Sequence, residues 1–170
     1  SGTMTPQHFE APMRRALAQA EQAAAEGEIP IGAVVLDSQG NVLASAHNSR
    51  EASHDPTAHA EVLALRAAAE RQQSWRLDGC TLVVTLEPCP MCAGAAVMSR
   101  IGTLVFGAWN DEYGSAGSRW DLVRDRRLNH QVEVFSGVLA DECGAMVREF
   151  LDSRRMKVTG SEEVGGVERP

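Results

Sequence analysis

The sequence predicts an α/β sandwich in which one mixed sheet of about five strands lies between layers of helices. Three observations carry that prediction. Short apolar runs that read as strands alternate with longer stretches of helical periodicity. A length of 170 residues, with 44% hydrophobic and 23% charged side chains, suits one globular core and is too short for two ordinary ones. No internal repeat or low-complexity linker divides the chain. A core of this size needs no disulfide framework, which leaves four cysteines free for other chemistry.

Ser1-Gly2-Thr3 ahead of Met4 reads as an expression scar, so a single domain is expected over residues 4–157. From Pro6 to Glu26, Phe9, Met13, Leu17 and Ala20 recur at spacings of three and four, forming one apolar stripe of a helix that Gly27 ends. Ile31 to Leu36 and Val42 to Ala46 flank the turn-forming Asp37-Ser-Gln-Gly-Asn41 and predict a hairpin. Asp55-Pro56-Thr57 offers caps for a helix from Ala58 to about Gln72. Cys80 to Leu86 is apolar with little alternation, as in a strand buried on both faces. Pro90 opens a helix reaching about Ser99, and Thr103 to Gly107 is the next strand. Between Trp109 and His130, Gly114 and Gly117 interrupt any period and predict a surface loop, with at most a short helix near Trp120 to Arg124. Loops this long in a compact domain are usually functional. Val132 to Phe135 is a last short strand, and a helix from Leu139 to about Arg155 sets Cys143, Met146, Val147, Phe150 and Leu151 on one side. Residues 158–170 are poor in apolar side chains and are expected to form a disordered tail.

No apolar run approaches the roughly 20 residues of a membrane span, and the basic-then-apolar pattern of a signal peptide is missing near Met4. A cytoplasmic, reducing setting is therefore expected, where cysteines bind metals or catalyse more often than they pair. The net charge of −7 excludes a protein coated all over with basic surface for nucleic acid, although a local basic face is compatible with it. Arg119, Arg124, Arg126 and Arg127 form one basic cluster, and Arg154, Arg155 and Lys157 form a second.

Chemistry concentrates at two helix starts, His59-Ala60-Glu61 and Pro88-Cys89-Pro90-Met91-Cys92. A Cys-x-x-Cys pair at a helix start can turn both sulfurs to one ion, and the free N–H groups and helix dipole favour thiolates there. With His59 as a third ligand, one tetrahedral position stays open for water, the pattern of a catalytic zinc site. Glu61 can sit beside the metal without ligating it and take the proton of that water. Two other readings stay open for the cysteine pair: half of a structural zinc site completed by Cys80 or Cys143, or a redox dithiol. Cys80 in an apolar strand and Cys143 on an apolar helix face read more simply as small hydrophobes. His8, His47, His54 and His130 read as solvated or hydrogen-bonded residues.

The His-x-Glu and Pro-Cys-x-x-Cys set resembles the signature of the zinc-dependent nucleobase deaminases. Asp55 to Glu61, Thr85 to Ala95, Ala116-Gly117-Ser118 and Arg127-Leu128-Asn129-His130 together resemble the bacterial tRNA-specific adenosine deaminase family, over about Phe9 to Arg155. The resemblance implies the three-layer α-β-α fold of the cytidine deaminase-like superfamily and one Zn2+ per chain on His59, Cys89 and Cys92. It implies hydrolytic conversion of adenosine to inosine at the wobble position of a tRNA anticodon loop, by a homodimer. Zinc would acidify a water that attacks C6 of adenine, and Glu61 would pass its proton to N1 and then to the departing ammonia. Asn48 is expected to bond the base edge and Ala60 to offer its backbone N–H, while Ile29, Leu86 and Ala108 form apolar walls. Asn110, Phe150 and Arg155 are expected to touch the rest of the substrate. On this reading both basic clusters contact phosphates, and a base in a single-stranded loop is flipped out at lower cost than a paired one.

The chain departs from the family's usual pattern at two places. Asn110 stands where an aspartate is usual, with Asp111 following, and Phe150-Leu151 stands where many relatives carry two aromatics. Neither departure touches the zinc set; both bear on how substrate is held. Riboflavin-pathway deaminases share His-Ala-Glu but separate their cysteines by a longer insertion, whereas only Pro90 and Met91 intervene here. Guanine deaminases carry a similar cysteine motif, so a guanine or free nucleoside deaminase is the alternative enzyme, and the Ala-Gly-Ser and Arg-Leu-Asn-His segments favour tRNA. A catalytically silent RNA-binding subunit is a third reading, against which the intact Glu61 speaks.

Overall fold

Apolar runs rich in valine and leucine build β1 (Gly32–Leu36), β2 (Val42–His47), β3 (Thr81–Leu86), β4 (Thr103–Ala108) and the short β5 (Glu133–Phe135). A computed structural model describes residues 5–162, with side chains as far as Met156. The strands join in the order β2-β1-β3-β4-β5, giving the mixed five-stranded sheet that the alternation of elements predicts. Pairing is antiparallel for β2 with β1 and β1 with β3, and parallel for β3 with β4 and β4 with β5. The β1–β2 hairpin closes as expected: Asp37 Oδ1 accepts the N–H groups of Gln39 and Asn41, each at 2.9 Å.

Helices cover both faces. α1 (Glu10–Ala25) and α5 (Ala140–Glu162) pack on one side, where Phe9, Met13, Leu17, Val34, Val83 and Cys143 share a core. α3 (Ala60–Gln72) and α4 (Pro90–Met98) pack on the other, where Ala64, Leu82, Val84 and Val97 belong to the larger core. Alternate residues of β3 thus serve opposite cores, the reason its sequence shows so little polar alternation. Gly32 lets α1 lie against β1, since a Cβ there would come within 1.9 Å of the Ala16 carbonyl oxygen.

Several boundaries move from the expected ones. The first helix is preceded by a 3-10 turn, Pro6–Phe9, over which Thr5 and His8 close a capping box. A single-turn α2 (Arg50–Ser53) follows the hairpin, and a 3-10 turn at Leu122–Arg124 stands where a short helix was expected. α5 continues to Glu162, into the stretch expected to be disordered, because helix growth adds one bond per residue and no proline interrupts it before Pro170. Residues 1–4, including the suspected scar, and 163–170 lie outside the described residues. Among the described residues, no helix is long and apolar enough to cross a membrane.

Topology brings the functional segments to one end of the sheet. β3 leads into α4, whose return as the parallel β4 makes a crossover, so α4 begins at the C-terminal end of β3. β2 runs in the same direction as β3, both being antiparallel to β1, so α3 also begins at that end.

Candidate active site

His59 is the N-cap of α3 and Cys89 the N-cap of α4, with Cys92 three residues further on, so two helix N-termini meet over the end of β3. Asp55, expected as a cap, instead accepts the amide and hydroxyl of Thr57, both at 2.8 Å, and shapes the turn before the helix. The His59 ring makes no capping bond. Its Nδ1 points at the cysteines, 3.6 Å from Cys89 Sγ and 3.5 Å from Cys92 Sγ, and all three ligand atoms lie within 4.8 Å of one another. Among the described residues no other group of three such side chains converges in this way. Cys80 lies within reach of Gln72 and Cys143 of the Val138 carbonyl, and both are buried elsewhere, so neither completes a four-ligand site.

The charges here suit a soft cation. Cys89 is held down at about 4, chiefly by the hydrogen bond from the Cys92 thiol and also by His59, against the opposing effect of burial. Cys92 is raised because its proton serves Cys89, with burial and nearby Glu61 acting the same way. Hydrogen bonds among the three groups stand where bonds to a metal would form, and two sulfurs with an imidazole are a donor set that zinc takes. Glu61, on the first turn of α3, is 4% exposed, and burial pushes its carboxyl up to about 7. Its Oε1 and the Oδ1 of Asn48 are enclosed without a hydrogen-bond partner among the described residues.

These groups open on a cavity of about 870 Å³, lined also by Ile29, Ile31 and Leu86, by the loop from Trp109 to Tyr113 and by residues of α5. The match to known proteins is extensive. Residues 6–108 match the family model described as the cytidine and deoxycytidylate deaminase zinc-binding region. The tRNA-specific adenosine deaminase of Bacillus subtilis is 48% identical over 145 residues, covering 85% of this chain and 89% of the relative. The chain belongs to the tRNA-specific adenosine deaminase family. A solved structure from a study of A-to-I editing by tRNA:A34 deaminases at the wobble position of transfer RNA superposes with a TM-score of 0.77 at 37% identity, over 82% of this chain and 99% of that one. A guanine deaminase from Nitrosomonas europaea superposes with a TM-score of 0.72 at 28% identity, over 83% of each chain.

This deaminase is thus a hydrolase with a zinc-binding region. Of the residues expected around the substrate, Ile29, Asn48, Leu86 and Asn110 line the cavity. Ala60 is buried in the first turn of α3, next to His59. Ala108 is not on the wall; its small side chain packs in the core with Val138 and Cys143, on the same sheet face as its register partner Leu86, whose longer side chain reaches the cavity. Phe150 is also off the wall, its ring 4.8 Å from the Arg154 guanidinium, and Leu151 lies there instead. Arg155 is off the wall too and lies 3.8 Å from Asp152.

Both basic clusters are largely occupied within the chain. Arg124 pairs with Asp121 at 2.9 Å and Arg127 with Asp125 at 2.7 Å, Arg119 reaches the Asp111 carbonyl at 3.3 Å, and Arg154 bonds the carbonyl of Gly27. Sequence reasoning missed two other arginines, Arg50 and Arg148, which line the cavity. Neither side chain has a hydrogen-bond or ion-pair partner among the described residues. Arg50 sits at the start of α2 and its charge is felt at His59. Arg148, next to Val147 and three residues before Leu151, could have been read from its place beside the apolar stripe of α5.

Proposed function

We propose that this deaminase converts adenosine to inosine at the wobble position of a tRNA, acting in the cytoplasm as a homodimer. One observation carries the reading: a three-ligand metal set opens on a large cavity beside two enclosed, unpartnered oxygens, Glu61 Oε1 and Asn48 Oδ1. His59, Cys89 and Cys92 would hold the metal. When bound, zinc supplies a water acidic enough to react near neutral pH. Glu61 moves two protons, one from the attacking water to ring N1, which inosine keeps, and a second from the new C6 hydroxyl to the leaving amine, a task suited to a carboxyl that burial raises toward neutrality. Asn48 donates to the Ile29 carbonyl at 3.3 Å, which leaves its other amide atom for the base edge. The Ala60 N–H, in the first turn of α3, has no acceptor within the helix and is available to the substrate.

The cavity lies near the top of the roughly 300–1,000 Å³ range of small-ligand sites, which favours a nucleotide with its neighbours over a single base. Arg50 and Arg148 on its wall supply charge for phosphates. A second copy would cover apolar surface such as Met98, 57% exposed at the end of α4. The likeness to a guanine deaminase supplies a second reading. Ammonia release measured side by side on tRNA, an anticodon stem-loop, adenosine and guanine tests both, with tRNA and stem-loop expected to react fastest. Guanine turnover exceeding stem-loop turnover would overturn the tRNA reading, and a monomer by analytical ultracentrifugation would overturn the homodimer.

A further inference from the structure

The chemistry above leaves Glu87 without a role, although it lies two residues before Cys89 and is 1% exposed. Its Oε1 accepts the N–H of Asn110 at 3.1 Å, and its Oε2 accepts those of Ala116 at 3.0 Å and Ser118 at 3.1 Å. A buried carboxylate without partners is strongly unfavourable, and here three amides of one loop satisfy it. No ion pair forms with it among the described residues. The adjoining backbone binds the same region: the Glu87 N–H donates to the Ala108 carbonyl at 2.8 Å, and the Pro88 carbonyl accepts the Ser115 N–H at 2.8 Å. Gly114 makes room both for the side chain and for the loop's own turn, since a Cβ there would lie 2.2 Å from Glu87 Oε1, 2.0 Å from Ser118 Oγ and 2.4 Å from the Asn110 carbonyl oxygen. The loop held in this way carries Asn110 and Tyr113 into the cavity wall.

We propose that Glu87 is a positioning residue for substrate, one buried carboxylate that locks loop 110–118 to the segment bearing Cys89 and so fixes the span between the metal-binding end of the cavity and its nucleotide-facing wall. This rests on the functional reading above. Glu87→Gln preserves size but sets an NH2 group against one or two N–H donors. Zinc content and circular dichroism should match the wild type, while amide exchange at Asn110, Ala116 and Ser118 quickens by about tenfold or more. KM for an anticodon stem-loop should rise by about tenfold with kcat within about threefold, because substrate placement and not proton transfer is disturbed. Gly114→Ala crowds the same contact from the loop side, together with Ser118 and the Asn110 carbonyl, and should give the same pattern even if Glu87→Gln fails to fold. Paired, the two substitutions should be less than additive.

Unchanged exchange and KM in both variants would overturn the proposal. So would a joint loss of zinc, fold and kcat in both variants, which marks a contact that only holds the core together. The exchange measurement needs no substrate, so it decides the anchor even if the wild type proves inert toward the stem-loop, a result that would overturn the functional reading.

Discussion

Glu61 Oε1 and Asn48 Oδ1 are both enclosed by protein without a hydrogen bond among the described residues, and their side chains line one cavity. Native interiors rarely leave such atoms unpaired, because each lost partner costs about 1–3 kcal/mol. On the proposed reading a bound base and water would relieve both, the base edge at Asn48 and the water at Glu61. Glu61→Ala should therefore keep fold and zinc while turnover on tRNA falls by about 10²–10⁴-fold or more, since the proton is moved at more than one step. Initial rates of inosine formation, with zinc measured on the same sample, check this. Near-normal turnover would assign the proton to another group.

Cys89→Ser and Cys92→Ser should each greatly weaken zinc retention and lower the melting temperature, because metal binding is coupled to folding. Elemental analysis of the wild type should give about one zinc per chain. Full occupancy in both variants would remove these cysteines from the metal.

Binding of an anticodon stem-loop should weaken steeply with salt, as counterions released from phosphates are the source of the affinity. Arg50→Glu and Arg148→Glu should each flatten the log–log salt slope by about 0.7 for every phosphate that is no longer neutralised. Arg127→Glu should do less, because that guanidinium already pairs with Asp125 at 2.7 Å. Equal slopes in all three variants would show that the cavity arginines contribute nothing particular.

Asn110→Asp should change stem-loop affinity and leave zinc content alone. Asn110 Oδ1 accepts the N–H groups of Glu112 at 3.2 Å and Tyr113 at 3.1 Å, work that a carboxylate oxygen can also do, so the turn survives. Only the second atom of the side-chain head group changes, from donor to acceptor. Titration with a stem-loop, alongside amide exchange at Glu112 and Tyr113, separates the two effects.

Gly32→Ala should destabilise the fold by about 1–3 kcal/mol, a melting temperature lower by roughly 2–12 °C, since the new methyl would strike the backbone of α1. Specific activity of the folded fraction should persist, which a thermal melt and an assay at low temperature together report.

Much of this was legible in the sequence because it is local. The apolar run Cys80 to Leu86 and the glycine-bearing turn before Val42 mark strands without help from the rest of the chain. His59, Glu61, Cys89 and Cys92 stand out because helix starts are where their chemistry is possible. The cavity wall was harder to read, for it is made by distant segments. Leu86 and Ala108 are register partners on one sheet face, so which of them reaches the cavity depends on side-chain length and on the layer packed beneath. Arginines look available in sequence, yet Arg124 and Arg127 find acids within a few residues, whereas Arg50 and Arg148, unpaired among the described residues, stand on the wall. Glu87 could have been suspected as an acid between a buried strand and two cysteines, but its three partners lie 23 to 31 positions away.

The common direction of β2 and β3 has one more consequence. The cavity draws on residues at the C-terminal ends of these strands and the start of β1, while the Asp37–Asn41 turn falls at the opposite pole, because Leu36 pairs with Thr81 at the first residue of β3. The molecule therefore has a working end and an end that only closes the chain. Exposed turns of the second kind are where foreign sequence is best tolerated. A reporter peptide spliced into the hairpin tip would ride on the enzyme at the far side from its substrate, giving a handle for immobilisation that leaves the catalytic mouth turned toward solution.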